Sequence, residues 1–316
     1  MRACLKLSFL FALLICLLPG LPSGPVARAQ AATLDHALRE EVWHLPVRAR
    51  DIKGREIAGD IPVTVFRPQG DGPFPLVVIS HGRAGSRDGR ARPARQRFES
   101  AASYFVRKGF AVAVPTRLGY GETITAGDPE DRGAGCSNND YSALVEASGA
   151  QVQAVVARMR QEAWADPQRL LLVGQSVGGI ATISATSRGI AGLVAAVNFA
   201  GGSGGSPERH PGKPCAPQNM DREIARLARS ANAPMLWLYT ENDQYFDPAT
   251  TRAWHATYQA NGGRAEYRLL PPFSDDGHKL FAQGNAVWQP ILDVWLAESG
   301  LGPSSHSSHS TPSRGP

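Results

Sequence analysis

The pentapeptide Gly174-Gln175-Ser176-Val177-Gly178 constrains this chain more than any other feature. It follows the apolar run Arg169-Leu170-Leu171-Leu172-Val173 and opens the small-residue segment Gly179-Ile180-Ala181-Thr182-Ile183. A strand, a sharp turn and a helix therefore meet at one serine. A turn this tight needs Gly174 and Gly178, because a Cβ at either would strike neighbouring backbone, and it lifts the Ser176 hydroxyl clear of the sheet. Ser176 is the candidate nucleophile.

The remainder of the chain supplies a frame for such a turn. Strand-like apolar runs recur at 42–50, 61–67, 75–80, 110–115, 169–174, 193–199, 235–240 and 265–270. Helical spacing falls at 94–108, 141–161, 177–188, 221–230, 249–261 and 287–298. Strands alternating with helices predict an α/β fold, a mostly parallel sheet of about eight strands covered on both faces. The first two strands have no helix between them, only the turn residues Asp51-Ile52-Lys53-Gly54, which predicts an antiparallel hairpin at the sheet edge. The stretch 201–217 and one helix follow the sixth strand, too little for a large lid.

The N-terminus reads as a secretory leader. Arg2 and Lys6 precede an apolar run at 7–18, and Ala27-Arg28-Ala29 has the small-x-small pattern of a cleavage site after Ala29. Twelve apolar residues fall short of the roughly 20 that span a bilayer, so residues 1–29 predict export to the periplasm or beyond, with no membrane insertion after cleavage. Removing Arg2, Lys6 and Arg28, with no acid, takes the formal charge from +5 to +2. The basic pI then gives no case for nucleic acid. The mature domain is read as 30–301, followed by a tail at 302–316 of Ser, Pro, Gly and His with almost nothing to bury.

Cleavage also removes Cys4 and Cys16 and leaves Cys136 and Cys215 in an oxidising compartment, where a disulfide is the natural pairing and two separate thiols the alternative. Closing a loop of that length stabilises a fold by about 4–5 kcal/mol in the chain-entropy picture. No C-x-x-C or H-E-x-x-H occurs, so no metal is expected.

A serine hydroxyl needs a histidine to take its proton and an acid to orient that histidine. Asp243, in Glu241-Asn242-Asp243 after the run at 235–240, is the preferred acid, with Glu241, Asp247 and Asp275 in competition. Asp275 and Asp276 suit a turn or solvent contact. His278, in Asp275-Asp276-Gly277-His278 after the last strand, is the preferred base. The backbone N–H groups of Val177 and of Arg83, in the break His81-Gly82-Arg83, are the candidate oxyanion donors. His81 reads as a structural hydrogen-bonder near the pocket, and Tyr120, between Gly119 and Gly121, as a candidate pocket wall or a packing residue. Arginines 83, 87, 90, 92, 95 and 97 make a basic segment. It is either a solvated surface or, through Arg83 or Arg87, a means of favouring a carboxylate-bearing acyl group or an anionic polymer.

Ser-His-Gly at 80–82, Gly-Tyr-Gly at 119–121, the Gly-x-Ser-x-Gly, Glu-Asn-Asp at 241–243 and Asp-Gly-His at 276–278 resemble the α/β-hydrolase superfamily. Its nearly lidless dienelactone-hydrolase-like esterases are the most similar branch. The resemblance implies a cofactor-free serine hydrolase acting on a small-molecule or polymer-attached ester, with Ser176, Asp243 and His278 in chain order. True dienelactone hydrolases use a cysteine where this chain has Ser176, which argues against dienelactone as substrate. Rival readings are a peptidase or amidase resembling the prolyl-oligopeptidase branch, and a non-catalytic binding protein on a hydrolase fold.

Overall fold

The structure is a computed structural model that describes residues 34–92 and 94–302. The leader expected at 1–29 and all but the first residue of the tail expected at 302–316 lie outside the described residues.

One sheet of eight strands organises the described chain: β1 (Glu41–Arg50), β2 (Glu56–Phe66), β3 (Phe74–Ser80), β4 (Ala111–Pro115), β5 (Ala165–Gln175), β6 (Leu193–Phe199), β7 (Met235–Thr240) and β8 (Ala265–Leu270). Their order across the sheet is β1-β2-β4-β3-β5-β6-β7-β8. β1 pairs antiparallel with β2, and β2 antiparallel with β4; every later pairing is parallel. The edge hairpin is thus present, and it is longer than the apolar pattern indicates. Arg50 faces Glu56 in register, so β2 starts five residues ahead of the run at 61–67. Buried Asp51 closes the turn by accepting the N–H groups of Lys53 and Arg55.

The central strands are apolar at successive positions because both faces are covered. Leu76, Val78, Leu170, Leu172 and Trp237 point into one core, while Val77, Ile79, Leu171, Val173 and Leu236 point into the other. The first core is completed by α3 (Ser142–Met159), α4 (Val177–Thr186), α5 (Pro217–Ala228) and α6 (Pro248–Ala260). The second is completed by α2 (Glu99–Arg107) and α8 (Asn285–Glu298). The short α1 (Arg87–Ala91) and α7 (Leu280–Gln283) were not legible as helices.

The helix expected over 94–108 is shorter, and its missing start has a physical cause. Arg95 and Arg97 both reach the fully buried Glu40 carboxylate, Gln96 N donates to Thr116 Oγ1 at 2.6 Å, and Gln96 O accepts from Thr64 Oγ1 at 2.7 Å. These long-range partners hold 95–97 against the strands, and the helix begins only at Glu99. Among the described residues no helix is long and apolar enough to cross a membrane.

Candidate active site

Ser176 sits between β5 and α4 with φ 57° and ψ −122°, a conformation that costs a non-glycine residue about 1–3 kcal/mol. The packing around it imposes this. A Cβ on Gly174 would overlap the Gly178 carbonyl, and one on Gly178 would overlap the carbonyls of Ser80 and His81. Ser176 N donates to Phe199 O at 2.9 Å, and Ser176 O accepts from Gly202 N at 3.2 Å, so the end of β6 and the residues just after it fasten the turn. Val177 opens α4, and its N–H, in the first helical turn, has no helical carbonyl to bond.

Asp243 lies in the loop after β7 and is buried. Its Oδ1 accepts the N–H groups of Tyr245 (2.7 Å) and Phe246 (3.0 Å), and its Oδ2 accepts from His278 Nδ1 at 3.0 Å. With Nδ1 carrying the proton to Asp243, His278 keeps Nε2 as its basic nitrogen. The competing carboxylates are engaged or placed elsewhere: Asp247 caps α6 through Thr250 N and pairs with Lys213, Asp275 pairs with Lys279, and Glu241 is exposed.

Three side chains fasten the His278 loop. Gln175, beside Ser176, donates through Nε2 to His278 O at 2.8 Å. Asn242 Nδ2 donates to the carbonyls of Phe273 and Ser274, while its Oδ1 accepts Phe273 N. Asp276 Oδ1 accepts both His278 N and Gln244 N. Asp276 therefore forms the turn expected for it, but it is buried and bonded across two loops, which corrects the alternative of solvent contact. What sequence reasoning missed is the second bond, from Gln244 N, 32 residues away. The His278 ring stacks on Tyr245 at 4.0 Å between centroids, with Phe246 edge-on at 5.5 Å.

Ser176, Val177, Arg83, Arg132, Tyr245 and Phe246 line a cleft of about 670 Å³ whose far wall is the segment Ser203–Arg209. Loop 80–83 crowds the serine, since a Cβ on Gly82 would lie 3.2 Å from Ser176 Cβ. A buried charge network shapes this loop from behind. Arg117 and Glu130 form an ion pair of zero exposure, Arg117 Nη1 donates to His81 O at 2.5 Å, and Arg117 N donates to His81 Nε2 at 3.0 Å. His81 Nδ1 in turn donates to Gly82 O at 2.7 Å, which makes the ring neutral. Burial, then the Arg117 charge, pushes His81 down to about 3. Burial alone would raise the Glu130 carboxyl, but the charge and hydrogen bonds of Arg117, with Arg83 and Tyr120, outweigh it and hold it near 2.

Three expected pocket residues stand elsewhere. Tyr120 is buried behind the cleft, its hydroxyl donating to Glu130 at 2.6 Å, and His81 is buried with it. The Glu130 carboxylate, ten residues from Tyr120, draws the phenol away from solvent. Arg87 lies exposed on α1, outside the cleft lining. Arg83 does line the cleft, yet its guanidinium is bound by both Asp128 oxygens, at 2.9 and 2.5 Å. Beside the exposed Arg209, the lining holds a further cation that sequence reasoning missed. Arg132 donates to Ser203 Oγ at 2.8 Å and has no carboxylate within ion-pair distance among the described residues. Burial, then the like charge of Arg83, lowers its pKa.

Cys136 and Cys215 are joined in a disulfide. The bridge links the loop that carries Arg132 to the loop that carries Ser203. With His210 these sulfurs are the one group of metal-type ligands gathered among the described residues, and the bridge takes both thiols.

The strand order, the strained serine after β5 and the acid and histidine after β7 and β8 define an α/β-hydrolase. The chain belongs to the dienelactone hydrolase family, whose model matches residues 61–290, and it is a hydrolase of that family. Among solved structures it is similar to a putative dienelactone hydrolase from Klebsiella pneumoniae, with 19% identity, TM-score 0.53, 82% of this chain and 99% of that one covered. It is also similar to Thermogutta terrifontis esterase 2, with 17% identity, TM-score 0.52, 83% of this chain and 96% of that one. A puromycin-hydrolyzing peptidase of Mycobacterium tuberculosis shares the fold at 18% identity and TM-score 0.54, covering 87% of this chain and 41% of its own. At these identities the structures show the common fold, and this chain spans about two fifths of that peptidase. No curated protein sequence matches the chain.

Proposed function

We propose that this hydrolase cleaves carboxylic esters through an acyl-enzyme on Ser176. The observation that carries the reading is the His278 Nδ1–Asp243 Oδ2 contact of 3.0 Å, made by a histidine whose backbone is tied to the residue beside Ser176. His278 Nε2 takes the Ser176 proton as Oγ attacks the ester carbonyl carbon. The oxyanion is received by the N–H groups of Val177 and Arg83, each donor contributing about 2.7–4 kcal/mol in comparable sites. Collapse expels the alcohol, protonated by His278; water, deprotonated by the same nitrogen, then releases the acid and restores Ser176.

Arg132 sets the substrate class. A cation in the cleft wall with no carboxylate at ion-pair distance among the described residues favours an anionic substrate group, so the acyl part bears a carboxylate. Export from the cytoplasm is part of the reading, supported by the leader at 1–29 and by the Cys136–Cys215 bridge.

Fluorophosphonate labelling tests the chemistry. Rapid labelling of the wild type, abolished in Ser176→Ala and strongly slowed in His278→Ala and Asp243→Asn, is the expected result. No labelling of the folded wild type overturns it, and turnover of amides above matched esters replaces the esterase reading with a peptidase one.

A further inference from the structure

The two ends of the Cys136–Cys215 bridge differ in ways that govern thiol chemistry. Cys136 is exposed, in the short turn Cys136–Asn138, whereas Cys215 is only 8% exposed. Cys215 is also fixed in place: its N–H donates to Gly204 O at 3.0 Å and its carbonyl accepts the Tyr141 hydroxyl. It stands just ahead of α5, where a helix N-terminus favours negative charge. His210 Nε2 lies 3.5 Å from Cys215 Sγ and 3.9 Å from Cys136 Sγ. The other ring nitrogen, Nδ1, is buried with no hydrogen-bond partner among the described residues, so the ring's polar contacts are with the two sulfurs.

Exchange of a disulfide depends on access to the attacked sulfur and on how well the departing sulfur holds charge. Both conditions select the same direction here. We propose that the bridge is a thiol-exchange site of fixed polarity, taking a small thiol on Cys136. The incoming thiolate attacks Cys136 Sγ, the Cys136–Cys215 bond breaks, and Cys215 departs as a thiolate that accepts a hydrogen bond from His210 Nε2–H. One thiolate is consumed and one released, so the step involves no net oxidation, and the thiol stays on Cys136 as a mixed disulfide. Opening the bridge unties the Arg132 loop from the Ser203–Arg209 wall, which places the modification on the frame of the cleft.

The test incubates the folded full chain with glutathione, quenches at early times with N-ethylmaleimide and maps both cysteine peptides. Glutathione on Cys136 with maleimide on Cys215, in roughly tenfold excess over the reverse, is expected, with opening slowed about three- to tenfold in His210→Ala. His210→Asn, checked by thermal melting, separates the loss of the imidazole from a folding defect. Ser176→Ala, which tests the hydrolase chemistry, should exchange like the wild type. Glutathione on Cys215 or equally on both cysteines, no adduct on the folded chain, or rates indifferent to His210 in both variants each overturn the proposal.

Discussion

Asp276 holds His278 by its backbone: Asp276 Oδ1 accepts His278 N at 2.9 Å while also accepting Gln244 N at 3.0 Å. The loop that carries the histidine is thereby joined to the loop that carries Asp243. Asp276→Ala strands two backbone donors, a loss of about 1–3 kcal/mol for each that stays buried and unpaired. We predict a lowered denaturation midpoint and a fall in kcat on an ester with KM little changed. Asp276→Asn, which keeps Oδ1, should recover most of both. A KM effect without a kcat effect would show that Asp276 shapes the cleft instead.

Gly277 is the next constraint on the same loop. A Cβ there would overlap Thr240 Oγ1 and press on Thr240 Cβ and Asn242 Oδ1, at the end of β7. Gly277→Ala must push the His278 loop off that strand end. Activity should fall at least tenfold, the loss that comes with about 1.4 kcal/mol of misplacement in the transition state. Wild-type turnover by the variant would mean that the loop shifts without moving the imidazole.

What was legible in the sequence was what local chemistry decides. The turn at Ser176 follows from Gly174 and Gly178 flanking an apolar run, and the edge hairpin from Asp51 to Gly54 between two strands without a helix. The pairing of Cys136 with Cys215 follows from the expectation that a cleaved leader would take the other two cysteines with it. What was illegible depends on partners far away in the chain. Arg95 and Arg97 go to Glu40, 55 and 57 residues distant, and cost a helix its first turns. Tyr120 stays open between pocket wall and packing residue, and Arg87 between pocket and solvated surface; only the folded chain shows that Glu130 captures the first and that α1 carries the second outward. Arg132 gave no signal among its neighbours, because its significance is that no carboxylate stands within ion-pair distance of its guanidinium among the described residues.

That lack makes a quantitative prediction. Replacing Arg132 by Gln should lower kcat/KM for an ester whose acyl group carries a carboxylate by about 1.5–3 kcal/mol, or roughly 10- to 150-fold. The uncharged isostere of the same ester should be almost unaffected. Equal losses on both substrates would assign Arg132 to holding the Ser203 loop and remove the argument for an anionic substrate.

Acid should act on the network behind the oxyanion loop in two windows. His81 has an ordinary value of 6.5 and a folded value of about 3, so its neutral form is the one the fold accepts. As pH falls from 6.5 towards 3, the unfolded chain takes up a proton that the folded chain refuses, and stability declines. Glu130, ordinarily 4.5 and held near 2, repeats this from 4.5 downwards, since its stabilising charged form is complete only above 4.5. Each group contributes a slope of at most about 1.4 kcal/mol per pH unit. Urea unfolding of the wild type and His81→Asn at pH 7.5, 6 and 5, with Glu130→Gln added below pH 4.5, separates the two. The stability gap between wild type and His81→Asn should narrow as pH drops from 7.5 to 5, because the variant has lost the proton linkage. A gap that stays constant over that range would mean that His81 titrates normally and that Arg117 does not hold it neutral.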